Sequence, residues 1–263
     1  MVAWNVSTIG GGTIRLDCPD RASKVDVWAV WLQADTAVRR SFRDLLPPDE
    51  ILRADRFAFE SLRMSYEVSH GALRVLLAQY LNCRPGELAF TFGPKGKPAL
   101  RGDSRLRFNM SHSGELAVYA VAFDCEVGVD VEKVRDLSDL EAIAERFFSP
   151  AEASELLSIS EPALRQAAFY RCWTRKESYI KSIGDGLSMG LDQFQVTLLP
   201  GVPARLVHIG NDTRAASAWT LQHFEPAPGY VAALAYRSHH RNLDVHPPQH
   251  ARDILDLCSS GKR

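Results

Sequence analysis

The chain has 263 residues, a formal net charge of −1, and 46% hydrophobic and 24% charged residues, ordinary values for a globular protein long enough to bury one large core or two smaller ones. So even a balance gives no bulk pull toward nucleic acid or an anionic membrane. No run approaches the length of an apolar membrane span, and Met1–Gly12 lacks the basic start and long apolar stretch of a signal peptide, so a cytoplasmic location is expected. The five cysteines, Cys18, Cys83, Cys125, Cys172 and Cys258, are scattered without CxxC or Cys/His spacing, which predicts reduced thiols rather than a disulfide frame or a zinc site.

Residues 1–24 carry Gly10-Gly11-Gly12, but neither a Walker lysine nor dinucleotide-fold spacing follows, so a flexible lead-in is expected. Val25–Leu32 alternates and is rich in Val and Trp, as a strand requires. Pro47-Pro48-Asp49-Glu50 marks a helix start with Arg53 and Arg56 on its next turn. Tyr66, Leu73, Leu76, Leu77 and Tyr80 then describe a long amphipathic helix over 60–81, stopped by Asn82 and Pro85-Gly86. Short strands are predicted at 88–92, 106–110 and 116–123, separated by Gly93-Pro94, Gly102-Asp103 and Ser113-Gly114. The second half reads similarly: a strand at 126–131, helices at 140–148, 150–157 and 163–183, and strands near 194–199, 204–209, 218–223 and 230–235. The last stretch, Ser238–Arg263, has one apolar patch at Ile254-Leu255 and is expected to pack loosely as a tail.

The unusual chemistry lies at Gly128-Val129-Asp130-Val131-Glu132-Lys133. On a strand, residues two apart face one side at roughly 6 to 7 Å, so Asp130 and Glu132 aim at a common point. Two carboxylates held that close to a core call for a cation between them or a proton on one. A third carboxylate follows on a helix: Phe169, Tyr170, Trp173 and Ile180 mark its inward face, and Lys176 and Glu177 fall within that face. Oxygen ligands from Asp130, Glu132 and Glu177 suit octahedral Mg2+ with room left for water and phosphate oxygens. Each motif also has a plain reading. Asp130 and Glu132 could form the solvated face of a strand, Glu177 and Lys181 a surface i,i+4 pair, and Glu152 a first-turn glutamate after Pro150. The loop Gly93–Pro98 reads equally as a turn with solvated lysines, and Ser111-His112 is no serine-hydrolase pair, since neighbours on an extended chain diverge and no GxSxG elbow is present.

Taken in order, Gly96-Lys97-Pro98, Phe108-Asn109-Met110-Ser111-His112-Ser113, Gly128–Glu132, Phe147-Phe148-Ser149-Pro150-Ala151-Glu152 and Trp173–Lys181 resemble the signature of the Sfp-type 4'-phosphopantetheinyl transferases. The resemblance implies an α+β pseudo-dimer of two similar halves, each a long helix on a small antiparallel sheet, with the active site in the cleft between them. Residues 1–124 would form the N-terminal half with the coenzyme A nucleotide contacts, 125–238 the C-terminal half with the Mg2+ ligands, and 239–263 a tail. It further implies Mg2+ on Asp130, Glu132 and Glu177, coenzyme A phosphate on Lys181, and nucleotide contacts from Lys97, Ser111 and His112. Arg53 would hold the 3'-phosphate, with Arg56 or Arg63 compensating where Ser65 replaces a family arginine. Lys176 would neutralise or orient Glu177. The general base stays open among Glu152, Glu177 and a metal-bound water.

The expected reaction is Mg2+-dependent transfer of the 4'-phosphopantetheine arm of coenzyme A to a serine of an apo acyl or peptidyl carrier protein, releasing 3',5'-ADP. No nucleic acid or membrane partner is expected, and the two-halved length suggests a monomer. Arg135 and Arg146 are candidate carrier contacts. The rival readings are a metal-dependent phosphohydrolase using the same acids and an inactive adaptor that binds coenzyme A or carriers.

Overall fold

Two helices of 22 residues each organise the computed structural model, which describes residues 23–184, 189–239 and 241–260; the triple glycine lies outside them. The first half contains β1 (Lys24–Trp31), α1 (Thr36–Arg43), α2 (Pro48–Asp55), α3 (Glu60–Leu81), the hairpin β2 (Phe90–Phe92) and β3 (Pro98–Leu100), β4 (Leu106–Ser113) and β5 (Leu116–Phe123). The second contains β6 (Val127–Lys133), α4 (Leu140–Phe147), α5 (Pro150–Leu157), α6 (Pro162–Ile183), β7 (Phe194–Val196), β8 (Leu206–Ile209), α7 (Thr213–Ser217), β9 (Thr220–Phe224) and β10 (Tyr230–Tyr236). The chain then returns through β11 (Asn242–Val245), β12 (Gln249–His250) and α8 (Ala251–Ser260).

Side-chain alternation builds the layers. On β1, Trp28 and Val30 join α3 in one core while Val25, Val27 and Ala29 turn to the opposite face. On β5, Tyr119 and Val121 divide from Leu116, Val118 and Ala120 in the same way. That opposite face meets Val127, Val129 and Val131 of β6 and Ala232 and Leu234 of β10. Two sheets, ordered β11-β1-β5-β4 and β6-β10-β9, therefore pack face to face, with α3 outside the first and α6 outside the second. The expected α+β architecture of long helices on small sheets is present. No helix among the described residues is long and apolar enough to cross a membrane.

Two local readings are corrected. The last stretch is not a loose tail: β11 pairs in parallel with β1, matching Lys24 with Asn242 and Val27 with Val245, and Ala251 and Ile254 of α8 are buried in the α3 core. Few apolar letters were needed, because β1 offered an open edge whose backbone groups needed partners. β4 continues through Ser113, so Ser111-His112-Ser113 is strand rather than turn. Three elements outside the last stretch were missed: β3, which pairs with β2 just after the lysine loop, α1, capped by Asp35 accepting from the Val38 amide at 2.8 Å, and the short α7.

Candidate active site

Gly128 sets how closely α6 approaches β6. A Cβ there would lie 2.1 Å from the Ser178 carbonyl oxygen and 2.3 Å from the Ser182 nitrogen, so only glycine permits the contact. Asp130 and Glu132 share the face of Gly128 and so lie under α6, where Glu177 and Lys181 descend one turn apart.

Strand β4 holds these acids from the other side. Asn109, Ser111 and Ser113 point one way by period two, while Phe108 and Met110 point into the α3 core. Asn109 Oδ1 accepts from the Val129 amide at 2.9 Å, and Ser113 Oγ accepts from the Lys133 amide at 3.1 Å, satisfying donors on the free edge of β6. Ser111 Oγ donates to Asp130 Oδ1 at 2.9 Å and Ser113 Oγ to Glu132 Oε2 at 2.8 Å. Lys181 Nζ reaches Asp130 Oδ1 at 2.6 Å and Ser111 Oγ at 2.9 Å.

One ammonium does not balance three carboxylates. Burial raises the pKa of Glu132, with the Asp130 charge adding and the Ser113 bond opposing. Burial likewise raises that of Glu177, followed by Asp130 and Glu132, against Lys181. Asp130 is 3% exposed and its Oδ2 has no hydrogen-bond partner. An orphaned carboxylate oxygen beside two under-neutralised glutamates is the donor set a hard divalent cation takes. The three carboxylates are not gathered tightly: among the described residues, the set of three ligand-type side chains whose donor atoms all lie within 4.8 Å of one another is Asp26, Asp244 and His246, elsewhere.

A cleft of about 250 Å3 opens beside these groups, lined by Lys95, Gly96, Lys97, Asn109, Glu177 and Lys181. Lys97 belongs to it but is already engaged, donating to Glu126 at 2.9 Å, the Ser182 carbonyl at 2.8 Å and the Val127 carbonyl at 3.3 Å. It ties the β2–β3 hairpin to the C-terminal end of α6, where the helix dipole favours a cation. Lys95 is the exposed cation of the loop.

A second gathering of bases lies toward α3. The Arg53 guanidinium sits 5.7 Å over the Tyr66 ring, which stacks on His70 at 3.8 Å. Burial lowers the His70 pKa to about 4, with His112, Arg53 and Arg74 contributing. His112 reaches solvent, yet the surrounding walls lower its pKa, with the Lys181 charge adding. Arg53 and His112 thus both act on His70. Arg63 is committed to the Phe57 carbonyl at 3.3 Å and to Glu60 at 3.6 Å, and the other candidate, Arg56, is exposed.

Glu152 and Lys176 are corrected. Both are fully buried and paired at 2.7 Å. Lys176 Nζ also donates to the carbonyls of Leu191 at 2.7 Å and Phe194 at 2.6 Å. Glu152 accepts from the Ser149 amide at 2.8 Å, closing a capping box on α5, and from the Val196 amide at 2.7 Å. With every polar atom occupied, Glu152 has no lone pair for a substrate proton and Lys176 no proton for a phosphate; together they clamp α5, α6 and β7. Sequence reasoning passed over Asn109, Ser113, Tyr66 and His70. The first two were signalled by their two-residue spacing from Ser111, and His70 by its place one turn beyond Tyr66.

Comparison of the chain with known proteins identifies its relatives. Residues 126–235 match the 4'-phosphopantetheinyl transferase superfamily, and residues 31–124 match the family described as 4'-phosphopantetheinyl transferase, N-terminal. The 4'-phosphopantetheinyl transferase HetI of Nostoc is 36% identical over 217 residues, covering 81% of this chain and 88% of the relative. Sfp of Bacillus subtilis is 33% identical over 158 residues, covering 60% and 68%. Human L-aminoadipate-semialdehyde dehydrogenase-phosphopantetheinyl transferase is 28% identical over 258 residues, covering 88% and 81%. The chain belongs to the 4'-phosphopantetheinyl transferase superfamily.

Proposed function

We propose that this protein transfers the 4'-phosphopantetheine arm of coenzyme A to a serine hydroxyl of an apo carrier protein, with Mg2+, releasing 3',5'-ADP. The observation that carries the reading is the unneutralised acidic group Asp130, Glu132 and Glu177, with Lys181 beside it, opening on a lysine-lined cleft. Asp130 Oδ2, Glu132 and Glu177 would hold the ion. When bound, Mg2+ supplies positive charge against the coenzyme A diphosphate as negative charge grows on the leaving phosphate.

The chain's own residues do the rest. Lys181 stands next to the leaving phosphate as a point charge, its direction set by Ser111 and Asp130. Arg53 and His112 receive the 3'-phosphate on the α3 side, which fixes the nucleotide at a point remote from the reacting atoms. Glu177, which lines the cleft, is the carboxylate that would take the proton of the incoming serine. Arg135, whose charge acts on Glu132, and Arg146 are both exposed and would suit an acidic carrier.

The test is to incubate the purified chain with coenzyme A, Mg2+ and apo carriers of fatty-acid and peptide-synthetase types, then weigh the carriers. A pantetheine-loaded carrier is expected, and its formation should stop with chelator. Hydrolysis of coenzyme A without any loaded carrier would identify a phosphohydrolase, and binding without turnover an adaptor.

A further inference from the structure

On the opposite side of α6 the charge balance reverses. Arg171 and Arg175 lie one turn apart and so share a face, rotated by more than half a turn from Glu177. Facing them from the sheet is His223 on β9. It sits opposite Ala233, which in turn sits opposite Asp130, so Asp130 and His223 end the same row of one sheet face. Arg175 is 2% exposed. Its Nη1 donates to the Thr197 carbonyl and, at 3.2 Å, to Thr197 Oγ1, but its Nε has no partner. Nη1 of half-buried Arg171 and Nδ1 of His223 are also buried without partners.

Among the described residues neither guanidinium forms an ion pair. The buried acid of this region, Glu152, is consumed by Lys176. His223 has its pKa lowered to about 4 by burial, then by Arg175 and Arg171, against a hydrogen bond to the Ala232 backbone, and no carboxylate enters that balance. Buried guanidinium without a counterion costs several kcal/mol, and unmade hydrogen bonds add to that.

We propose that Arg171, Arg175 and His223 form a binding site for a small tetrahedral oxyanion of the phosphate class. The partnerless Nε and Nη1 supply donors from two guanidinium groups, which match oxyanion geometry, and Nδ1 becomes a third donor when the ring is protonated. With Arg175 buried and Arg171 half-buried, the site suits a small free ion rather than the side chain of a partner protein. Bound anion favours protonated His223, so binding takes up a proton and tightens as pH falls toward the imidazole range. The ionisable groups facing that ring are Arg171 and Arg175 from α6; its neighbour on β10 is the uncharged Ala232 backbone. The inference does not depend on the transfer reaction.

The experiment uses the full chain and inorganic phosphate, with chloride at matched ionic strength as control. Thermal denaturation is read together with the His223 imidazole resonance. Phosphate is expected to raise Tm saturably and to move the His223 midpoint upward by about one unit or more. Arg175→Met should lose both responses. Equal effects of phosphate and chloride, or an unmoved midpoint, overturn the site. A full phosphate response in Arg175→Met places the anion elsewhere, such as the catalytic cleft, and also overturns it. Should Arg175→Met not fold, Arg171→Gln should weaken the apparent phosphate affinity at least about tenfold, and unchanged affinity rejects the assignment.

Discussion

The two sides of α6 carry opposite and unfinished charge. Toward β6 and β4, three carboxylates face one lysine, and Asp130 Oδ2 is left without a partner. Toward β9, two arginines and a histidine face no acid among the described residues. Between them, the equally buried Lys176–Glu152 pair is complete in every donor and acceptor. Burial of charge is therefore common along this helix, and it is incompleteness, not burial, that marks where a ligand belongs.

The sharpest way to break that contrast is Asp130→Ala. Removing a carboxylate at the acidic pole should lower kcat/KM on the order of 10^3-fold with the fold intact, measured by carrier loading and circular dichroism. Wild-type activity would dissolve the distinction between the acidic pole and an ordinary polar strand.

Lys176→Met tests the completed pair. It strands a fully buried carboxylate, and the expected loss is about 3–5 kcal/mol of stability, read by denaturant titration. Turnover per folded molecule should be nearly unchanged, because neither group touches substrate. A selective fall in kcat would return Lys176 to the catalytic set.

Acid titration compares the two buried histidines. His70 and His223 both have folded pKa values near 4, below the ordinary value of about 6.5. Between those values the unfolded chain binds protons that the native state does not, so stability is fully present above about pH 6.5 and is lost as pH falls toward 4. Each group contributes about 3 kcal/mol at most. His70→Gln and His223→Gln should each flatten the decline, and phosphate should flatten only the part due to His223. Identical pH curves for wild type and both variants would remove the shift.

The smallest expected effect is His112→Ala, which deletes one contact to the 3'-phosphate. KM for coenzyme A should rise about tenfold with kcat little altered, as loss of uniform binding requires. An equal fall in kcat would move His112 toward the reacting phosphate.

Much of the acidic pole was readable from local periodicity. A period of two placed Asp130 and Glu132 together and a period of 3.6 placed Glu177 with Lys181, because each is a relation between residues within a few positions; the need for glycine at Gly128 arises from its contact with Ser178 and Ser182 and belongs to the tertiary structure. Element types along α3, α6, β5 and β10 were equally legible, since long periodic or continuous apolar runs specify them. The sequence alone thus determined the main elements, the acids and the bases.

Tertiary structure alone decided which charges were answered. Lys176 meets Glu152 across 24 positions, β11 finds β1 from the far end of the chain, and Arg175 comes to rest where no acid arrives. Pairing and its absence are set by which surfaces close on one another, and that depends on packing of the whole chain rather than on any window of it.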